Sequence, residues 1–125
     1  MTTAEPPIRL LLVDDEQDFL EAVTPALERR GLEVTAVSNG IEALALLDHW
    51  PFDVVVLDVK MPGMGGIEVF HELCHREPEL PVVILTGHGD IQQAFETSRE
   101  GVFDYLTKPC RVEDLVEVVR RAYRS

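Results

Sequence analysis

Polar and charged side chains follow four of the five apolar runs in this sequence, at the point where each run ends. The first run ends in Asp14-Asp15-Glu16, the third in Asp58, the fourth in Thr86-Gly87 and the fifth in Thr107-Lys108-Pro109. A lone aspartate in such a place is usually a helix cap or a turn residue, and a lone Lys-Pro is usually a turn. Four such ends in one short chain indicate a shared site instead.

Three carboxylates, those of Asp14, Asp15 and Asp58, would repel one another if the fold brought them together. A hard divalent cation such as Mg²⁺ relieves that repulsion and prefers oxygen ligands. Lys108 would add a positive charge and Thr86 a hydroxyl, and both suit the oxygens of a phosphoryl group. Because an aspartate can accept a phosphoryl group as an acyl phosphate, the pattern predicts Asp58 as a nucleophile at the centre of the site.

The elements that must position these residues alternate along the chain. Apolar runs bounded by turn residues predict strands at residues 8–13, 32–37, 52–57, 81–86 and 102–107. Apolar residues at spacings of three and four predict a helix after each strand. The sequence therefore predicts a doubly wound α/β domain, with a five-stranded parallel sheet and helices on both faces. Ligands bind outside the carboxyl ends of such strands, and if the strands lie in the order 2-1-3-4-5, the first and third are neighbours and the three aspartates converge.

Length and composition restrict the classes of protein. The 125 residues are enough for one domain, which we place at residues 8–125 behind a flexible tail at residues 1–7. No apolar run is long enough to span a membrane and the tail lacks a signal-peptide pattern, so we expect a cytoplasmic protein without membrane contact. The two cysteines, Cys74 and Cys110, are expected to be reduced and structural. The net charge of −12 argues against direct nucleic-acid binding by this domain.

Four stretches together, LLVDDE, VVLDVKMPGMGG, VVILTGHGD and GVFDYLTKP, resemble the receiver domain of two-component response regulators. The resemblance covers essentially the whole chain, and LTGHGD and FDYLTKP look most like the NtrC and FixJ types. It implies a flavodoxin-like (βα)5 fold. It also implies a signalling switch that takes a phosphoryl group from a sensor histidine kinase.

The resemblance implies a role for each site residue. Asp58 stands at the phosphoacceptor position, and Lys108 would pair with the phosphoryl oxygens. Asp15, Asp58 and the backbone carbonyl of Lys60 would ligate Mg²⁺, with Mn²⁺ as a substitute. Asp14 would hold a metal-bound water.

The resemblance further implies how the switch works. Thr86 would move to hydrogen-bond the phosphoryl group, Tyr105 would turn inward, and the Lys108-Pro109 peptide bond would be cis. The change would alter the face made by the fourth helix, the fifth strand and the fifth helix. An output domain or a downstream protein would bind this face, as in transcription regulation. A phosphorylation-dependent homodimer is a further implied partner. The domain would promote its own phosphorylation and slow dephosphorylation without being a turnover enzyme.

The chain departs from the family pattern in two places. Aspartate is common in the family where this chain has Gly65, and we expect Gly65 and Gly66 to loosen the loop that opens the third helix. The fourth predicted helix carries Thr97 and Ser98 where apolar residues are common, so we expect it to shift or melt easily.

Other classes share parts of the pattern. HELCH at residues 71–75 matches the H-E-x-x-H zinc-protease pattern, but no third ligand is identifiable, so we expect no catalytic zinc site. A phosphohydrolase of the haloacid dehalogenase type also uses an aspartate nucleophile and Mg²⁺, yet it needs a D-x-D pattern after the first strand, which adjacent Asp14-Asp15 lack. A flavodoxin-like cofactor binder needs hydroxyls and amides there, and DDEQD would repel its phosphate.

Overall fold

The computed structural model describes residues 6–59, 66–87 and 102–125, apart from the side chains of Ile67 and Thr86. The strands are β1 (Arg9–Val13), β2 (Glu33–Val37), β3 (Val54–Asp58), β4 (Val82–Thr86) and β5 (Asp104–Thr107). The helices in the described residues are α1 (Gln17–Arg29), α2 (Gly40–Leu47), α3 (Gly66–Arg76) and the C-terminal helix (Val112–Arg124). The fourth predicted helix, with Thr97 and Ser98, lies outside the described residues, as do Lys60 and Gly65.

All five strands are parallel and lie in the order β2-β1-β3-β4-β5. β1 therefore has β2 on one side and β3 on the other, and Leu12 is in register with both Ala36 and Val56. The predicted fold class and strand order are confirmed.

Alternating side chains of the central strands enter two separate apolar clusters, one on each face of the sheet. Leu10 and Leu12 of β1 pack with residues of α1 and the C-terminal helix. Leu11 and Val13 pack with residues of α2 and α3. Because both faces are covered, every residue of β3 is buried. This explains why the third run is apolar until it reaches Asp58.

Short polar segments stop and start the helices that cover the sheet. Gly31 follows α1 with a φ of 92°, a left-handed conformation that favours glycine at helix ends. The Asn39 side chain accepts a hydrogen bond of 2.8 Å from the backbone N–H of Glu42 and so caps α2.

Two further observations concern membrane-spanning helices and the two cysteines. Within the described residues, no helix has both the length and the apolar character needed to cross a membrane. Cys74 and Cys110 are half-buried and are not joined in a disulfide bond. Burial raises the pKa of the Cys110 thiol, which disfavours the reactive thiolate and agrees with a structural role.

An ion pair joins β1 to the start of β3 at the end of the sheet opposite the aspartates. The Arg9 guanidinium donates to both carboxylate oxygens of Asp53, at 3.1 and 3.0 Å, and the Arg9 backbone N–H donates to the same carboxylate at 2.8 Å. The hydrogen bond from the Arg9 side chain is the main reason why the pKa of Asp53 is lowered. The folded state therefore favours the ionised carboxylate.

We expect Asp53→Asn to lower the free energy of unfolding by about 1 to 2 kcal/mol near neutral pH, because hydrogen bonds to a charged group are lost. The ordinary pKa of aspartate is about 4, so the difference should persist above that pH and vanish as the pH falls through the lowered folded-state value. Urea denaturation at neutral pH and at about pH 3 measures both effects. Asp48→Asn, which removes an exposed partner of Arg76, should change the free energy by less than about 1 kcal/mol. An equal loss from Asp53→Asn at both pH values would contradict this account.

Candidate functional site

The strand order brings the three aspartates to the same edge of the sheet. Val13 and Leu57 are in register on neighbouring strands. Asp14 directly follows Val13, and Asp58 directly follows Leu57. Asp14 is fully buried and Asp58 is 5% exposed, whereas Asp15 is exposed. Carboxylate oxygens of the three residues lie within 4.8 Å of one another. In the described part of the chain, no other group of three or more acidic, histidine or cysteine side chains gathers in this way.

Lys108 reaches this cluster from the end of β5. Its ammonium lies 2.5 Å from Asp14 Oδ2, 2.6 Å from Glu16 Oε1 and 3.8 Å from Asp58 Oδ2. The Lys108-Pro109 peptide bond is cis, as the resemblance implies. Burial favours the neutral amine, but the ion pair with Asp14, the hydrogen bond to Glu16 and the charge of Asp58 outweigh burial and raise the pKa of Lys108. The surroundings of Lys108 therefore favour its charged form.

Gly66 packs against the backbone at the end of β3. A Cβ atom at this position would overlap the carbonyl oxygen of Asp58 and backbone atoms of Val59. The Gly66 backbone N–H donates to the Val59 carbonyl at 3.2 Å, which ties the start of α3 to the residue after Asp58. The missing side chain at Gly66 therefore permits close packing here, and the expectation that Gly65 and Gly66 loosen the loop stays a prediction, because that loop precedes the described start of α3. Gly65 lies outside the described residues.

The residues of the predicted switch are described in part. Thr86 ends β4 in register with Thr107, so its backbone lies at the same edge of the sheet as Asp58. Its side chain lies outside the described residues. Tyr105 is half-buried and packs against the apolar cluster on the α2 and α3 side of the sheet. Its inward turn remains a prediction.

The H-E-x-x-H pattern lies on α3, away from any cluster of ligands. His71 and His75 are both exposed. Among the described residues, neither belongs to a group of three metal-ligating side chains.

The chemistry of the aspartate cluster fits a hard divalent cation. Carboxylate oxygens are the ligands that Mg²⁺ prefers, and the exposed Asp15 leaves the cluster open on one side. Two of the three carboxylates are buried, and one nearby ammonium does not balance three negative charges. The residues present therefore fit a bound cation.

A family model described as the response regulator receiver domain matches residues 10–120. The chain belongs to this family. Receiver domains of this family are phosphoryl-accepting signalling domains, and they generally bind Mg²⁺ through an acidic cluster such as the one described above.

Curated relatives of this receiver domain include transcription regulators. The C4-dicarboxylate transport transcriptional regulatory protein DctD of Rhizobium meliloti is 36% identical over 90% of this chain and 25% of its own length. The DNA-binding transcriptional regulator NtrC of Salmonella typhimurium is 39% identical over 89% of this chain and 24% of its own length. The chain thus spans about a quarter of these relatives. The predicted likeness to the NtrC type is confirmed.

A solved receiver domain from Clostridium thermocellum superposes with a TM-score of 0.89 at 35% identity, covering 94% of each chain. This similarity agrees with the five-stranded sheet and its strand order.

Sequence reasoning found the receiver domain's charged residues but missed two neighbours of Lys108. Glu16 pairs with the Lys108 ammonium, and the Phe19 ring lies under it, with 4.6 Å from Nζ to the ring centroid. The acidic residue directly after Asp15 was a signal for the first contact. No pattern in the sequence indicated the second, because Phe19 and Lys108 meet only through the fold.

Proposed function

We propose that this receiver domain accepts a phosphoryl group on Asp58 from the phosphohistidine of a sensor histidine kinase. The observation that best supports this role is the position of Asp58 at the end of β3, beside Asp14 and Asp15 and 3.8 Å from the Lys108 ammonium. Asp58 is a carboxylate with one cationic neighbour, Lys108. Two further carboxylates beside it, those of Asp14 and Asp15, are suited to binding a cation. Such a setting favours attack by aspartate on phosphorus.

The proposed step forms one bond and breaks one bond. A carboxylate oxygen of Asp58 attacks phosphorus and forms an O–P bond, which gives an acyl phosphate. The P–N bond of phosphohistidine breaks, and its electron pair leaves with the imidazole. Lys108 remains protonated and pairs with the phosphoryl oxygens, whose charge it offsets.

The proposed cation site uses Asp15, Asp58 and the backbone carbonyl of Lys60 as ligands, with Asp14 holding a metal-bound water. When bound, Mg²⁺ supplies positive charge to the phosphoryl oxygens. Mn²⁺ has similar oxygen preferences and is the proposed substitute. The buried Asp14 keeps its side chain fixed by accepting a 2.9 Å hydrogen bond from the backbone N–H of Glu16.

The proposed output is a conformational switch without enzymatic turnover. Thr86 hydrogen-bonds the phosphoryl group and Tyr105 turns inward, which changes the face made by the fourth predicted helix, β5 and the C-terminal helix. An output domain, a downstream protein or a second phosphorylated copy reads this face. The proposal places the receiver domain at residues 8–125 in the cytoplasm, without direct contact to nucleic acid or membrane.

Labelling with a small phosphodonor tests the proposed function. We expect acetyl phosphate to label the protein with Mg²⁺ present, and we expect the label to be released by hydroxylamine, which cleaves acyl phosphates. Removal of Mg²⁺ with EDTA should reduce the initial rate by at least about tenfold, because the carboxylate cluster then lacks its neutralising charge. Adding Mg²⁺ back in excess over EDTA is the control and should restore the initial rate of labelling. A hydroxylamine-resistant label, or a rate that EDTA does not change, would contradict the proposal.

A further inference from the structure

The contacts of the Lys108 ammonium are concentrated on the side of the site formed by the end of β1 and the start of α1. A lysine ammonium has three N–H donors. Asp14 Oδ2 and Glu16 Oε1 lie at 2.5 and 2.6 Å, within hydrogen-bond distance, and the Phe19 ring lies 4.6 Å away. Asp58 Oδ2, at 3.8 Å, lies beyond that distance. Lys108 is thus held towards α1 and away from the proposed phosphoacceptor.

The two carboxylates that hold Lys108 differ in their surroundings. The Asp14 side chain is fully buried, and leaving a buried charge without a partner is costly. The Glu16 side chain is 62% exposed, so water can solvate it as soon as it releases Lys108. The ion pair between Glu16 and Lys108 can therefore break and re-form at a small cost in free energy.

We propose that Glu16 is a positioning residue that competes with the incoming phosphoryl group for Lys108 and thereby slows phosphoryl acceptance by Asp58. The inference rests on the proposed function of Asp58. A phosphoryl group on Asp58 needs Lys108 as its counter-charge. While Lys108 is paired with Glu16, its charge is not available to the reacting group. Glu16 acts through Lys108 in this proposal, because the Lys108 ammonium is its partner at 2.6 Å.

The expected size of the effect follows from the exposure of the Glu16 carboxylate. An ion pair with an exposed partner shifts an equilibrium by about two- to fivefold at moderate salt. Because salt screens exposed charges, the effect should shrink at an ionic strength of about 1 M. A purely structural role of Glu16 would not depend on salt in this way.

Glu16→Gln tests the inference, since glutamine keeps the shape and removes the charge. At saturating Mg²⁺ we expect the initial rate of labelling by acetyl phosphate to rise about two- to fivefold. The affinity for beryllofluoride, a mimic of the phosphoryl group, should rise by a similar factor in a calorimetric titration. Glu21→Gln is the matched control, because Glu21 is exposed on α1, the helix that begins directly after Glu16, and is not an ion-pair partner of Lys108 in the described residues. The control should behave as the wild type does.

An unchanged or slower rate in Glu16→Gln overturns the inference, and so does a faster rate that persists undiminished in high salt. A wild-type protein that takes no label, or that takes its label on a residue other than Asp58, overturns the proposed function and this inference with it. A wild type labelled on Asp58 whose rate equals that of Glu16→Gln overturns only the role of Glu16.

Discussion

We expect Asp58→Asn to reduce phosphoryl incorporation by at least about two orders of magnitude, because removal of a nucleophile leaves only the binding residues. The asparagine amide has the shape of the aspartate side chain but is a poor nucleophile towards phosphorus. The carboxylate of Asp58 is nearly buried, at 5% exposure, and is the one proposed to bond to phosphorus. Radiolabelled acetyl phosphate, or a kinase that labels the wild type, provides the measurement.

The fold should survive this substitution. Asp58 lies among like charges, and its nearest oxygen is 3.8 Å from Lys108, so the neutral residue relieves repulsion at the cost of a long ion pair. The free energy of unfolding should therefore be equal to that of the wild type or higher. Asp18→Asn, on the exposed first turn of α1, is the matched control and should keep the wild-type labelling. Label retained by Asp58→Asn at the wild-type rate would refute the assignment.

A second large effect is expected from Gly66→Ala, which adds a methyl group where the chain has no room. The new Cβ atom would overlap the carbonyl of Asp58 and the backbone of Val59. Overpacking of this kind costs roughly 1 to 3 kcal/mol of unfolding free energy. The backbone must also move at the phosphoacceptor, and a shift of about 1 Å in a reacting group reduces a rate by up to about 100-fold. Urea denaturation and initial labelling rates measure the two losses.

Gly31→Ala separates these two consequences. Gly31 has a φ of 92° and no neighbouring atom within 4 Å of an added Cβ, so alanine there is strained by its backbone alone. The cost is about 1 to 2 kcal/mol, as for other non-glycine residues in the left-handed region. Because Gly31 follows α1 at the other end of that helix from the site, its labelling rate should match the wild type. Equal labelling by Gly66→Ala and the wild type would contradict the close packing at the end of β3.

The sheet and its acidic edge were predictable from the sequence because they follow from short-range patterns. Apolar runs and the helices between them determine a parallel sheet, and the carboxyl ends of parallel strands meet at one edge. Asp14 and Asp58 therefore converge once β1 and β3 are neighbours. The predicted first strand began at residue 8, one residue before Arg9, which is the usual uncertainty at the end of an element.

Contacts between side chains that are distant in sequence were not predictable in the same way. Glu16 and Phe19 meet Lys108 only because a long, flexible side chain crosses from β5 to the start of α1. Arg9 meets Asp53 through the same kind of long-range packing at the opposite end of the sheet. Rotamers and reach decide such contacts, and a linear pattern of residue types contains neither.

The role of Gly66 shows a further limit. The sequence offers glycine as a sign of conformational freedom, whereas the fold uses it for close approach of α3 to β3. Both interpretations are compatible with a glycine at position 66 of the sequence. Only the position of the Asp58 carbonyl reveals the close approach.

The most direct test of the central claim is to identify the residue that carries the phosphoryl group. Borohydride reduces an aspartyl phosphate to homoserine, which peptide mass spectrometry locates in the chain. After labelling with acetyl phosphate and Mg²⁺, we predict homoserine at position 58 and aspartate at positions 14 and 15. Homoserine at either of those two positions, or an unreduced Asp58 in a protein that carries label, would contradict the account.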